Sequence, residues 1–372
     1  MRALAALRAG DAATARMLLE AELAEKPDQP PLEMALAAAC ARLSDFPAAL
    51  AAIEALLDRQ PRHFGALILK ADILDAAGES RRAASFYQSA LKVVPPEVQR
   101  TPDIVQAVGR AQSRLQQSKE GYEAHLRGKL VEKGFFSGSR APHYEQALDI
   151  LFGKRQLYFQ QPRQFYFPGL PQSQFYERDA FDWVEDLEAQ TALIRPEAEA
   201  LLEDEAAFRP YVHARKDEPR LQETQLYENS DWSACYLVRD GAPVPEIAER
   251  CPETMKALES LPLCDIPGKM PAVLFSLLRP KTQIEPHHGM YNTRLICHLP
   301  LIVPEGCRLR VGNETRSWRE GEMLIFDDSI EHAAYNDSDC LRVVLLFDIW
   351  RPELSESDRD FVRSIFAAID EF

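Results

Sequence analysis

Four of the eight histidines, His287, His288, His298 and His332, fall in one stretch of the C-terminal half. A pair of imidazoles with open neighbouring positions suits iron. A histidine just after one strand and another in a later strand converge if the chain between them folds back across a jelly roll. Histidines at strand ends are also ordinary surface or hydrogen-bonded groups, so spacing alone does not decide for a metal. Arg342 is a second signal. It opens RVVLLFDIW, an almost wholly apolar strand in which an unpaired guanidinium would be costly to bury. Something anionic should meet it, and a bound dicarboxylate and an internal Asp or Glu both remain open.

The elements that must position these groups can be read from periodicity. Between Ala272 and Trp350, short runs rich in β-branched and aromatic residues are punctuated by turns at Arg279-Pro280-Lys281, Pro304-Glu305-Gly306, Gly312-Asn313 and Arg319-Glu320-Gly321. Such spacing predicts a sandwich or barrel. The N-terminal third obeys another rule. A shift of about 34 residues, the tetratricopeptide period, aligns Ala15 with Ala49 and Ala83, Leu19 with Ile53 and Tyr87, Leu23 with Leu57 and Leu91, and Pro27 with Pro61 and Pro95. Each unit reads as a helix, a turn at Gly10, Ser44 or Gly78, a second helix, and a proline that stops it. One unit cannot bury its own apolar stripe, so the units must stack. From Thr101 a polar helical stretch runs to about Lys133. The aromatic, proline-rich LYFQQPRQFYFPGLPQSQFY then predicts an irregular strip wrapped over another domain.

Residues 1–96 thus resemble tetratricopeptide repeats, which usually offer a concave surface to a protein or peptide partner; the alternative is a packing extension that steadies the next domain. The C-terminal half resembles the aspartyl/asparaginyl β-hydroxylase family. The resemblance is carried by PHHG (PHxG), RLICHLPLIVPEGCRLRVG, FDDSIEH and RVVLLFDIWRPEL, in order and without large gaps, and more weakly by SDWSACYLV and the YFPGLP strip. It implies an α+β multidomain chain. Its parts are an N-terminal α-solenoid of tetratricopeptide repeats (1–100), a helical connector (101–164), a double-stranded β-helix domain of jelly-roll or cupin-like form (165–354) and a C-terminal amphipathic helix (355–372). That last helix opens with the capping-box pattern Ser355-Glu356-Ser357-Asp358.

Carried over position by position, the resemblance makes His287 and His332 the iron ligands and His288 a neighbour. Arg342 and Ser276 then take the distal carboxylate of 2-oxoglutarate, His298 lies near its iron-chelating end, and Trp232 forms part of the pocket wall. The activity implied is an Fe(II)- and 2-oxoglutarate-dependent dioxygenase. It uses O₂ to hydroxylate an unactivated C–H, with succinate and carbon dioxide as co-products. Two departures from the wider pattern matter. The usual non-haem iron triad has a carboxylate two residues after the first histidine, where Gly289 stands; the family shares that absence. Asp328 is the matching carboxylate that would hydrogen-bond a water in the vacancy, and a strand-end turn role is its alternative. Ile296 stands where animal members carry an arginine that helps hold the bound acids, which points to another cation, such as Arg294, or to a different substrate.

The chain carries 43 Lys and Arg against 58 Asp and Glu, a net charge of −15. No basic face is left for phosphates, which argues against nucleic acid and anionic lipid as main partners. No apolar run reaches the roughly twenty residues of a membrane span, and the first residues, MRALAALRAGDAATAR, read as amphipathic, so a cytoplasmic location is expected. Seven cysteines with no CxxC pair suggest neither a disulfide framework nor a thiolate zinc site. The first functional reading is hydroxylation of an Asp- or Asn-type side chain of a protein or peptide. Hydroxylation of a small molecule or lipid precursor is the alternative within the same chemistry. A non-catalytic adaptor and a halogenase suggested by Gly289 are the readings of other classes.

Overall fold

The computed structural model describes residues 2–94, 101–138, 140–204, 206–212 and 225–371; Pro95 and Phe372, used in the reading above, lie outside them. The chain divides into two compact units, Met1–Phe152 and Gly153–Phe372.

Unit one is helical. Its helices are α1 (Arg2–Arg8), α2 (Ala12–Glu25), α3 (Pro30–Arg42), α4 (Phe46–Arg59), α5 (Phe64–Ala76), α6 (Ser80–Leu91), α7 (Pro102–Glu132) and α8 (Ala141–Leu151). The turns before α2, α4 and α6 contain Gly10, Ser44 and Gly78, with φ of 87°, 59° and 81°, so one left-handed residue recurs at each reversal. Asp11 and Asp45 each cap the helix that follows by accepting from a backbone N–H, of Thr14 and Ala48. The aligned positions Ala15, Ala49 and Ala83, and Leu19, Ile53 and Tyr87, are all buried. No single helix pair could close that stripe, which is why the pairs pack in series. Among the described residues, no helix is long and apolar enough to cross a membrane.

Unit two consists of two antiparallel sheets. The strands are β1 (Phe175–Tyr176), β2 (Arg209–Pro210), β3 (Trp232–Arg239), β4 (Ala242–Pro243), β5 (Val273–Leu278), β6 (Thr282–His287), β7 (Arg294–Ile302), β8 (Cys307–Val311), β9 (Glu314–Ser317), β10 (Leu324–Phe326), β11 (His332–Asn336) and β12 (Arg342–Trp350). The large sheet runs β1-β10-β7-β12-β5-β3-β2, with β4 on β3, and the small one runs β6-β11-β8-β9. Strands β5, β7 and β12 are nearly continuous apolar runs because both faces of the large sheet are covered. One face carries α9 (Val184–Ala189), α10 (Thr191–Leu202), α11 (Pro245–Ala248) and α12 (Pro252–Leu258), through Val184, Ile194, Leu201, the partly buried Ile247 and Leu258. The other packs on the small sheet, where Ile284, Leu309, Val311 and Ala334 meet Leu278, Ile296, Phe326 and Val344. The last helix, α13 (Glu356–Asp370), has the capping box between Ser355 and Asp358. Its Val362 and Phe366 pack with Leu170, Tyr291 and Trp350, while Phe361 and Ile369 stay exposed.

Candidate functional site

Strand β6 ends on His287 and β11 begins on His332, and the register of the small sheet sets these two residues opposite each other. Their ring centroids are 4.1 Å apart. Each ring is turned by a backbone carbonyl two residues earlier: Nδ1 of His287 lies 2.7 Å from the Glu285 oxygen, and Nδ1 of His332 lies 3.1 Å from the Ile330 oxygen. A carbonyl only accepts, so Nδ1 carries the proton in both rings and Nε2 keeps its lone pair for a metal. Burial lowers the pKa of His287, and that of His332 lies well below the ordinary value through burial and the neighbouring His287. Both rings are therefore neutral, the form a metal binds.

Among the described residues no group of three or more His, Cys, Asp or Glu side chains gathers as a metal site. The reason lies at Gly289. A Cβ built there would sit 2.0 Å from Oδ2 of Asp328, so the Asp328 carboxylate already fills the space of a side chain two residues after His287. Arg294 donates to that Oδ2 at 2.9 Å, and Oδ1 is buried with no hydrogen-bond partner among the described residues. The neighbouring Asp327 faces the opposite way. It accepts from Gln160 at 2.6 Å and from fully buried Arg351 at 2.7 Å, which anchors the FDDS segment and leaves Asp328 to the pocket.

A cavity of about 290 Å³ runs from the two histidines past His298 to Ser276 and Arg342. Arg342 is 1% exposed, and among the described residues no carboxylate and no hydrogen-bond acceptor meets its guanidinium. Of the two partners left open by the sequence, the internal acid is thus not found. Burial lowers the Arg342 pKa to about 10. Its cation stands 5.0 Å over the Trp318 ring. Beside it, Trp232 donates to Ser276 Oγ at 3.3 Å and stacks on Tyr211 with centroids 4.0 Å apart. Trp318 Nε1 lies 3.3 Å from Nδ1 of His298, and burial together with Arg342 pushes His298 down to about 3, so its ring is a neutral acceptor there.

All seven residues singled out by resemblance, Trp232, Ser276, His287, His298, Asp328, His332 and Arg342, line this one pocket, as do Ile296, His288 and Arg294. Arg294 is not a free cation. It pairs with both Asp328 and Asp348 at 2.9 Å; burial would lower its pKa, and the two carboxylates raise it instead. Three contributors escaped sequence reasoning: Arg163 on the rim, Gln160 behind Asp327, and Trp318 against His298. Gln160 and Arg163 belong to the strip expected to wrap the domain, and no local pattern marked them. Two neutral imidazoles, a carboxylate oxygen without a partner and an unpaired buried guanidinium fit a divalent metal accompanied by a small carboxylate ligand.

A sequence model described as aspartyl/asparaginyl beta-hydroxylase matches residues 188–352. Aspartate beta-hydroxylase domain-containing protein 2 of Homo sapiens is 35% identical over 212 residues, 56% of this chain and 55% of that protein. The human aspartyl/asparaginyl beta-hydroxylase is 35% identical over 179 residues, 47% of this chain and 22% of that protein. The ornithine lipid ester-linked acyl 2-hydroxylase of Rhizobium tropici is 32% identical over 180 residues, 48% of this chain and 60% of that protein. The matched stretch therefore spans about half of the first of these relatives and a smaller part of the second.

Proposed function

Over residues 188–352 the chain belongs to the aspartyl/asparaginyl β-hydroxylase family, and from that premise we propose that it is an Fe(II)- and 2-oxoglutarate-dependent dioxygenase that hydroxylates an unactivated C–H, with a side chain of a protein or peptide as the first candidate. The observation that carries this reading is the Arg342 guanidinium, buried at the end of a cavity with no anion of its own among the described residues.

His287 and His332 would hold the iron through Nε2. Arg342, with Ser276, would take the distal carboxylate of 2-oxoglutarate, and neutral His298 would stand beside its chelating end. Oδ1 of Asp328, whose carboxylate stands where a side chain at Gly289 would be, would accept a hydrogen bond from a water next to the metal. When bound, iron and 2-oxoglutarate supply the O₂-dependent oxidation that ends in hydroxylated product, succinate and carbon dioxide. The apolar walls, Leu226, Ile284, Leu309 and Phe326, keep bulk water from the reacting atoms. The helix pairs of unit one are read as tetratricopeptide repeats that bind a protein or peptide partner.

An anaerobic titration with Fe(II) and then 2-oxoglutarate tests the reading through the metal-to-ligand charge-transfer band. A band that needs His287 and weakens in Arg342→Ala is the expected result. Its absence from the unaltered protein would overturn the oxygenase reading and favour an adaptor built on unit one. A second substrate class, a small molecule or lipid precursor, is favoured by Ile296, a buried apolar group on the pocket wall, and by the name of the Rhizobium tropici relative.

A further inference from the structure

The end of the pocket remote from Arg342 differs in character, and the register of the large sheet explains why. Arg342 and Leu346 lie on one face of β12, four residues or about 13 Å apart. In register with Leu346 stand Leu274 on β5 and His298 on β7, and the next inward residue of β7 is Ile296. Beyond His298 the pocket floor is therefore Leu274, Leu346 and Ile296. The cation of that end, Arg294, faces two carboxylates, so among the described residues no positive charge is left over there for an acidic reacting group. A charge seated there would be buried unpaired.

The rim offers the opposite. The strip carrying Arg163 is tied to the histidine loop by backbone hydrogen bonds, from Arg163 N to the Gly289 oxygen at 3.0 Å and from Gln164 N to the Met290 oxygen at 3.1 Å. This holds an exposed guanidinium at the pocket mouth. Among the described residues its guanidinium has no ion pair or hydrogen bond, and Glu285 on the same rim does not pair with it.

We propose that Arg163 sets the direction of the substrate: it holds an anionic group at the rim, while the carbon to be hydroxylated is an uncharged, aliphatic one seated among Leu274, Ile296 and Leu346. This rests on the oxygenase reading above and narrows its substrate to an aliphatic chain with an anionic group at a distance, whether an acyl chain or an aliphatic side chain beside an acidic one. The guanidinium fork matches a carboxylate, and the apolar floor rewards methylene burial.

The test is calorimetry on the full chain, anaerobic, with Fe(II) and saturating 2-oxoglutarate so that Arg342 is occupied. The probes are octanoate, 1-octanol, N-acetylaspartate and N-acetyl-leucyl-aspartate amide. Octanoate or the dipeptide is expected to bind about tenfold more tightly than N-acetylaspartate, and octanoate about tenfold more tightly than 1-octanol. The tighter of the first two names the source of the chain. Arg163→Gln should erase the octanoate preference over octanol without changing the charge-transfer band, and Ile296→Arg should bring N-acetylaspartate level with octanoate. N-acetylaspartate binding best to the unaltered protein, or an unchanged octanoate preference in Arg163→Gln, would overturn the proposal. If the band itself fails to form, the oxygenase reading falls; if it forms without this binding pattern, only the present inference does.

Discussion

The carboxylate of Asp328 occupies the space that a side chain at Gly289 would fill: a Cβ at that glycine would lie 2.0 Å from Oδ2 and 2.2 Å from Cγ. The two residues are also joined by a backbone hydrogen bond from Gly289 N to the Asp328 oxygen at 2.6 Å. A glycine is thus demanded by close approach and not by backbone conformation.

Gly289→Ala should accordingly destabilise the protein by about 1–3 kcal/mol, because Asp328 must move and its pair with Arg294 stretches. A urea midpoint equal to that of the unaltered protein would show that the loop simply gives way. The exchange Gly289→Asp with Asp328→Gly returns a carboxylate to the other side of the same space, two residues after His287. That variant is expected to bind Mn(II) or Fe(II) at least about tenfold more tightly, through a third protein ligand.

Arg342 is held against its own solvation. Replacing it by methionine removes a fully buried cation and keeps most of the volume, so the ligand-free protein should gain roughly 1–3 kcal/mol. The same variant should lose the rise in melting temperature that 2-oxoglutarate, with metal, gives the unaltered protein by mass action. A less stable ligand-free Arg342→Met protein would mean that the guanidinium has a partner in solution and would remove the main support for a bound dicarboxylate.

How far the sequence spoke for itself depends on the range of each interaction. Helix starts and left-handed turns in unit one depend on residues a few positions apart, so the alignment of Ala15, Ala49 and Ala83 was enough to place them. Arg342 stood out because it is a costly residue type in an apolar strand, whereas His287 and His332 stood out through the clustering of four histidines and were assigned as ligands only by resemblance. The pairing of Arg294 with Asp328 and Asp348 was not legible, nor was the buried link from Gln160 to Asp327. Both join segments far apart in the chain, and nothing local distinguishes Arg294 engaged in two ion pairs from Arg294 awaiting a substrate.

Stability should fall in mild acid, and part of that fall belongs to His298. Its pKa is pushed from about 6.5 in the unfolded chain down to about 3 by burial, aided by Arg342. Above pH 6.5 both states are neutral and the group contributes nothing. Below it the unfolded chain takes up a proton that the folded protein refuses, so stability drops between about pH 6.5 and 3. In ligand-free protein His298→Asn should flatten this drop, by up to about 2 kcal/mol at pH 5, leaving the remainder to His287 and His332. Identical urea midpoints for variant and unaltered protein across pH 5–7, relative to pH 7, would place the acid sensitivity elsewhere.

Ser44 offers a test that is independent of the pocket. It sits at the turn equivalent to Gly10 and Gly78 but adopts φ of 59° with a side chain, a conformation that costs an L-residue about 1 kcal/mol more than glycine. Ser44→Gly should therefore raise the stability of unit one, by somewhat less than that cost because glycine also loosens the unfolded chain. Gly78→Ala should do the reverse, since φ there is 81° and only strain, not a neighbouring atom within 4 Å, opposes the new methyl group. Thermal unfolding of the two variants should move in opposite directions; if both fall, the turn conformations do not recur in solution, and the helix pairs are not equivalent units of one stack.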